Sequence, residues 1–142
     1  MPDQAAPRRT VLVVDDEPMI LRSTRLVLEA AGFLVATAQG GEQAVEIASR
    51  DPPDVVLLDL MMPDVDGWQV LRRLRAAEAT RDVPVVIVTS RVITPEERDS
   101  LEGTFAIVSK QELSRATLAP IVQAATGRDD GRQQRPAAPL PL

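Results

Sequence analysis

The chain has 142 residues, with 16 basic against 21 acidic side chains, a formal net charge of -5, and no His, Cys or Tyr. The absence of His and Cys excludes a Ser-His-Asp or Cys-His nucleophile pair, a zinc site with nitrogen or sulfur ligands, and a disulfide framework, so any metal must be a hard ion held by oxygen. An acidic chain with two Phe and one Trp also lacks the basic grooves and aromatic platforms that bind nucleic acid.

The two ends of the chain differ in composition from the part between them. Residues 1–9 and 127–142 combine Pro and Arg with small or polar residues, and both are predicted to be disordered tails. Residues 10–126 are predicted to form a single domain. Because no apolar run reaches the roughly 18 residues of a membrane span, and residues 1–9 lack the apolar stretch of a signal peptide, we expect a soluble cytoplasmic protein with no membrane partner.

Short apolar runs rich in Val, Ile and Leu alternate with helical patterns along residues 10–126. Parallel strands buried on both faces have this continuous apolar character. Strands are predicted at residues 11–14, 34–38, 55–58, 85–88 and 105–108.

Helices are predicted after each of these strands. The first has an apolar face that ends at Gly32, the second carries Ala44 and Ala48, and the third carries Val70 and Leu74. The fourth is predicted over residues 95–102, opened by Thr94 as N-cap with Glu97 three residues later. The fifth contains Pro120, so we predict that it starts at Thr117, which places the proline in the first turn. Alternating strands and helices predict an α/β fold, a doubly wound five-stranded parallel sheet with helices on both faces.

Polar residues end four of the five predicted strands. In such a sheet, ligands bind at the carboxyl ends of the strands, near the point where strand order reverses. With strand order 2-1-3-4-5, these ends can meet at one edge. The residues concerned are Asp15, Asp16, Asp59, Thr89, Ser90 and Lys110, which is the single lysine among 16 basic residues.

Three clustered carboxylates repel one another unless a cation neutralises them. Oxygen ligands that leave room for water and a phosphoryl group suit Mg²⁺. Phosphoryl transfer needs positioning and charge neutralisation, and a carboxylate can itself be the nucleophile. Asp15 and Asp16 also precede Pro18, which has the character of a first-turn residue, so one of them is alternatively a helix N-cap.

The segments VLVVDDEP, VVLLDLMMPDVDGWQVL, PVVIVTS and IVSK, in this order and spacing, resemble the receiver domain of two-component response regulators over residues 10–126. The resemblance implies the flavodoxin-like fold and phosphorylation of Asp59 by a phosphohistidine of a partner, a histidine kinase or a histidine phosphotransfer protein. It implies Mg²⁺ held by Asp15, Asp16, Asp59 and the backbone carbonyl of Met61. Lys110 would pair with the phosphoryl group, and Thr89 would hydrogen-bond it. Asp64, Asp66 and Gly67 are expected to shape the loop before the third helix, and Trp68 to be a packing residue.

Two positions depart from the family pattern. Many receivers have an aromatic residue three places before the lysine, where this chain has Ile107. Strand alternation would keep Phe105 on the same side as Ile107, which would allow partial substitution. The lysine is also usually followed by proline, often through a cis bond, whereas Gln111 follows here. Because a cis bond costs about 3 to 4 kcal/mol without proline, we predict a trans Lys110–Gln111 bond or visible strain.

The leading hypothesis is a stand-alone receiver that catalyses its own phosphorylation and dephosphorylation, without a metabolic activity. It would signal to a protein target through the face formed by the fourth helix, fifth strand and fifth helix. One alternative is a receiver segment of a hybrid histidine kinase that acts as a phosphorelay or sink, and another is a receiver-like interaction module that works without phosphorylation. A homodimer is a further alternative. A flavin binder would need a Ser/Thr/Gly-rich phosphate loop after the first strand, where Asp15 and Asp16 would repel an anion.

Overall fold

A computed structural model describes residues 9–63, 65–90 and 92–127. Within them, five strands and five α-helices alternate along the chain. Their bounds are β1 (Thr10–Val14), α1 (Pro18–Ala30), β2 (Leu34–Ala38), α2 (Gly41–Arg50), β3 (Val55–Asp59), α3 (Gly67–Ala76), β4 (Val85–Thr89), α4 (Pro95–Ser100), β5 (Ala106–Ser109) and α5 (Arg115–Gly127). Apart from Arg9 and Gly127, the two predicted tails lie outside the described residues. None of the helices described is both long enough and apolar enough to cross a membrane.

The five strands form one parallel sheet in the order β2-β1-β3-β4-β5, which confirms the predicted fold. The register aligns the carboxyl ends of the central strands. Val14 lies opposite Leu58, Asp59 opposite Val88, and Thr89 opposite Ser109. The polar residues that end or follow these strands therefore share one edge of the sheet.

The core has two layers, one on each face of the sheet. Val14 and Leu58 point to the layer beneath α2 and α3. Their neighbours Val13 and Leu57 point to the layer beneath α1 and α5. Both faces are thus covered, which explains why the strands are continuously apolar rather than alternating.

The predicted capping box of α4 is present. The Thr94 hydroxyl accepts the Glu97 backbone N–H at 3.1 Å, and the Glu97 carboxylate accepts the Thr94 N–H at 3.0 Å. The helix ends at Ser100, two residues before the predicted end.

The predicted start of α5 is wrong. The helix begins at Arg115, and Pro120 lies inside it. Its first turn closes before the proline, because the Ser114 carbonyl accepts the Leu118 N–H at 2.8 Å and the Ser114 hydroxyl accepts the Thr117 N–H at 3.3 Å. Burial of one face, with Leu118, Val122 and Ala125 fully inside, offsets the single hydrogen bond that the proline removes.

The expectation that Phe105 shares a side with Ile107 is also wrong. Ile107 packs against the layer beneath α2 and α3, whereas Phe105 packs against the layer beneath α1 and α5. Strand alternation does not extend to Phe105 because β5 begins one residue later, at Ala106. Phe105 therefore does not replace the missing aromatic side chain.

Candidate functional site

Three carboxylates converge at the carboxyl edge of the sheet. Asp15 and Asp16 follow β1, and Asp59 ends the neighbouring strand β3. One carboxylate oxygen from each of the three lies within 4.8 Å of the others. The convergence follows from the parallel pairing, which brings the end of β1 beside the end of β3.

Neither Asp15 nor Asp16 caps α1. Glu17 occupies the N-cap position without a side-chain hydrogen bond, and Pro18 follows in the first turn. Asp15 Oδ1 instead accepts the Glu17 backbone N–H at 3.0 Å, which orients the Asp15 carboxylate within the turn. The helix-cap alternative from the sequence is therefore wrong, and both side chains belong to the acidic cluster.

Asp59 is almost completely buried, with 2% of its surface exposed. Its Oδ1 atom accepts the Met61 backbone N–H at 3.3 Å, while its buried Oδ2 atom lies 3.5 Å from the Lys110 ammonium, an ion pair too long for a strong hydrogen bond. Burial, and then the charge of Asp15, raise the pKa of Asp59 from 3.8 to about 6. The site thus holds a desolvated carboxylate whose Oδ2 atom is held only by a long ion pair within the described residues.

Lys110 lies between two of the carboxylates. Its ammonium nitrogen is 3.0 Å from Asp15 Oδ2 and 3.5 Å from Asp59 Oδ2. Burial alone would lower the pKa of Lys110, but the hydrogen bond and charge of Asp15, followed by the charges of Asp59 and Glu17, outweigh it and raise the pKa. Lys110 is therefore a fixed positive charge at neutral pH.

The position of Lys110 depends on the turn after β5. Ser109 accepts the Gln111 backbone N–H through its side chain at 3.1 Å, and Lys110 begins a short 3₁₀ helix, Lys110–Glu112. No cis peptide bond occurs in the described part of the chain, so the predicted trans Lys110–Gln111 bond is confirmed. This turn orients the lysine without the usual proline.

Thr89 and Met61 flank the cluster. Thr89 is buried at the end of β4, the strand beside β3. Met61 is half-exposed and lies two residues after Asp59, in the loop before α3. The structure therefore brings all six predicted site residues to one edge of the sheet, although it assigns no role to them.

The loop before α3 has the structural role predicted for Asp66 and Gly67. Asp66 caps α3 by accepting the Gln69 backbone N–H at 3.0 Å. A Cβ atom at Gly67 would lie 2.6 Å from the Asp59 carbonyl oxygen, so only glycine fits there. Asp64 lies outside the described residues.

Two features of the site region escaped the sequence analysis. Glu17 adds a negative charge that acts on Lys110, and the Trp68 indole N–H donates a 2.7 Å hydrogen bond to the Ser100 hydroxyl on α4. Glu17 directly follows Asp15 and Asp16, and this position in the sequence could have predicted that its charge lies near the site. Nothing in the sequence pairs Trp68 with a residue 32 positions away, because that contact depends on how α3 and α4 pack.

The donor set fits a hard divalent cation. Carboxylate oxygens are the ligands that Mg²⁺ prefers, and one oxygen from each of Asp15, Asp16 and Asp59 lies within 4.8 Å of the other two. The Lys110 ammonium adds a positive charge beside the carboxylates, which favours the binding of a further anionic group. A phosphoryl group held between a cation and Lys110 matches this charge distribution.

Comparison with known proteins gives the same family throughout. A family model described as the response regulator receiver domain matches residues 11–122. The transcriptional regulatory protein KdpE of Mycobacterium tuberculosis is 41% identical over 93 residues, which are 66% of this chain and 40% of that protein. The chain therefore spans less than half the length of this curated relative.

Two solved structures are similar over most of the chain. The N-terminal domain of a response regulator receiver protein from Methanoculleus marisnigri is 38% identical with a TM-score of 0.70, and covers 81% of this chain and 94% of that one. The receiver domain of the sensor histidine kinase PA1611 from Pseudomonas aeruginosa is 28% identical with a TM-score of 0.77, and covers 85% and 99%. The latter was solved with a magnesium ion coordinated in its active site cleft.

Proposed function

The chain belongs to the response regulator receiver domains of two-component systems, and on that premise we propose that it is a switch phosphorylated on Asp59 in the presence of Mg²⁺. The observation that carries the proposal is the buried Asp59 carboxylate, which lies beside two further carboxylates and one lysine. The proposal is the same for a stand-alone regulator and for a receiver segment of a hybrid histidine kinase.

Asp59 is the proposed phosphoryl acceptor. A carboxylate oxygen of Asp59 attacks the phosphorus of a phosphohistidine, an O–P bond forms, and the P–N bond breaks. The electron pair of that bond returns to the imidazole nitrogen, which can then be protonated. The Met61 N–H on Oδ1 fixes the carboxylate plane, and burial keeps water away from the nucleophile. The product is an aspartyl phosphate.

The proposed Mg²⁺ ligands are the side chains of Asp15, Asp16 and Asp59 and the backbone carbonyl of Met61. When bound by these residues, a cation would supply the positive charge that neutralises the acidic cluster and the phosphoryl oxygens. The Glu17 N–H holds Asp15 in place for this role. The receiver domain of PA1611, with magnesium in its active site cleft, supports the same chemistry here.

Lys110 and Thr89 are proposed to bind the phosphoryl group. The Lys110 ammonium already pairs with both Asp15 and Asp59, so a small shift would bring it to a phosphoryl oxygen on Asp59. Thr89 ends the adjacent strand, and its hydroxyl is the proposed hydrogen-bond donor to another phosphoryl oxygen. Compact charge suits Lys110, because arginine would carry a larger planar group into the same small space.

The proposed phosphoryl donor lies outside these 142 residues. They contain no His, so the phosphohistidine is proposed to belong to a histidine kinase or a histidine phosphotransfer protein. The signal is proposed to leave through protein contacts on the face formed by α4, β5 and α5. We place the protein in the cytoplasm, where such kinases use ATP.

Intact mass after incubation with acetyl phosphate tests this function. We expect the wild type to gain one phosphoryl group with Mg²⁺ and none with a chelator. Asp59→Asn should gain none under either condition, while Asp51→Asn, an exposed carboxylate directly after α2, should behave as wild type. Addition of the phosphoryl group to Asp59→Asn, or metal-independent addition to the wild type, would refute the assignment.

The second candidate is an interaction module that works without phosphorylation. Ile107 favours it, because the aromatic side chain common at that position is absent and Phe105 lies on the other face of the sheet. A wild-type protein that stays folded and binds Mg²⁺, yet accepts no phosphoryl group from acetyl phosphate or a phosphohistidine protein, would establish this candidate instead.

A further inference from the structure

The helix α4 is weakly attached to the rest of the domain. It has six residues, and none of their side chains is buried. Leu101, which follows it, is anchored in the core layer beneath α2 and α3. Helices with few buried contacts are the elements that move at low cost.

Ile93, directly before the N-cap residue of α4, packs against the same layer, and a cross-helix hydrogen bond adds to these two contacts. The Trp68 indole N–H donates to the Ser100 hydroxyl at 2.7 Å. The same hydroxyl donates to the Glu97 carbonyl at 2.6 Å, one turn earlier in α4. Ser100 is therefore oriented by its own helix to receive the indole, and the bond links α3 to the end of α4.

Gly67, the residue before Trp68, packs on the end of β3, the strand that carries Asp59. Gly67 donates its N–H to the Leu60 carbonyl at 3.0 Å. The Gly67 Cα packs so closely on the Asp59 carbonyl that a Cβ would lie at 2.6 Å. The backbone before Trp68 therefore packs directly on Asp59 and Leu60, and the Trp68–Ser100 hydrogen bond connects this segment to α4.

We propose that Trp68 is a positioning residue whose hydrogen bond to Ser100 holds α4 in place in the unphosphorylated protein and is released when Asp59 carries a phosphoryl group. This inference rests on the proposed function. It assigns to Trp68 and Ser100 a connection from the site to α4 that does not use the Ile107 position.

The direction follows from the two ends of the β4–α4 segment. Thr89 begins the segment, and the proposed bond from Thr89 to the phosphoryl group draws that end towards Asp59. The Trp68–Ser100 bond restrains the other end. The proposal makes this contact specific to the unphosphorylated state, so the contact opposes phosphorylation, and removing it must favour the phosphorylated state by the same factor.

Two variants remove the bond from opposite sides. Trp68→Phe removes the indole N–H and keeps an aromatic ring, and Ser100→Ala removes the hydroxyl. Ser23→Ala is the matched control, because the Ser23 hydroxyl donates to a carbonyl three residues earlier, in α1, at 3.4 Å. It removes a similar exposed hydroxyl from a helix surface.

The measurement is the affinity for beryllofluoride with Mg²⁺, a tetrahedral mimic of the phosphoryl group, by calorimetry on the full chain. We expect Trp68→Phe and Ser100→Ala to bind the mimic about two- to fivefold more tightly than wild type, the size set by one exposed hydrogen bond. Ser23→Ala should bind as wild type. A contact with only a structural role would lower the free energy of unfolding and leave this affinity unchanged.

Trp68 emission provides a second readout, because the chain has one Trp and no Tyr. Emission of the wild type should change on binding the mimic, and Ser100→Ala without mimic should already resemble the bound wild type. Equal or weaker binding by both variants overturns the coupling, while the proposed function stands if the wild type binds the mimic. A wild type that binds no mimic overturns the coupling and contradicts the proposed function as well.

Discussion

Replacing Asp59 with Asn should stabilise the metal-free protein at neutral pH and not at acidic pH. The buried carboxylate has its pKa raised from 3.8 to about 6, first by burial and then by the Asp15 charge. A raised pKa means that the folded protein binds the proton more tightly than the unfolded chain does. The stabilising effect of this proton is complete below pH 3.8 and is lost as the pH rises through about 6.

The size of the effect follows from the two pKa values. Each tenfold change in acidity corresponds to about 1.4 kcal/mol, so a rise from 3.8 to about 6 corresponds to about 3 kcal/mol. Asn carries no charge at any pH and avoids this cost. The stabilisation by Asp59→Asn should therefore increase by up to about 3 kcal/mol between pH 4 and pH 7.5.

Urea unfolding of the wild type and Asp59→Asn, with a metal chelator present and at several pH values, measures the difference in their free energies of unfolding. Trp68 emission reports the unfolding transition. Asp51→Asn is the control, because this exposed side chain should show little change in relative stability across the range. A stabilisation by Asp59→Asn that stays constant, or that shrinks as the pH rises, would refute the argument that Asp59 is destabilised in its charged form.

Three further predictions concern stability. Thr24→Val should raise the free energy of unfolding by about 1 kcal/mol, because the buried Thr24 hydroxyl has no hydrogen-bond partner among the described residues. Thermal unfolding checks this, and destabilisation would mean that the hydroxyl is satisfied. Arg75→Met should lower the free energy of unfolding by about 2 kcal/mol in urea, because the guanidinium donates hydrogen bonds to three backbone carbonyls. These are the carbonyls of Arg81, Val83 and Gly103, at 3.2, 3.1 and 2.9 Å. An equal loss of stability in Arg72→Met, at an exposed neighbouring position, would contradict this reasoning. Gly67→Ala should cost about 1 to 3 kcal/mol in the same assay and weaken Mg²⁺ binding, because its Cβ would meet backbone atoms of Asp59 and Leu60. Gly127→Ala is the control, because a Cβ at that position would have no atom within 4 Å, and its free energy of unfolding should be close to that of the wild type. An unchanged stability of Gly67→Ala would show that the loop before α3 can move to accept the Cβ.

The fold and the convergence at the site were predictable because they depend on local patterns. Continuously apolar strands that alternate with amphipathic helices leave few arrangements other than a doubly wound sheet. Once the strands are parallel, Asp15 and Asp59 must lie at the same edge. Thr94 and Glu97 likewise carry the whole capping box of α4 within four residues.

Tertiary packing decided the features that depend on contacts distant in sequence. Whether Pro120 lies inside α5 depends on the apolar face that this helix buries. The layer that receives Phe105 depends on where β5 begins, and the bond between Trp68 and Ser100 depends on where α4 lies relative to α3. The pKa of Asp59 is decided in the same way, since burial and the distance to Asp15 exist only in the folded chain. The sequence alone thus determined which polar groups meet at the strand ends, because the alternation of apolar strands and helices predicts a parallel sheet. Their energies arise from desolvation and long-range contacts that only the tertiary structure creates.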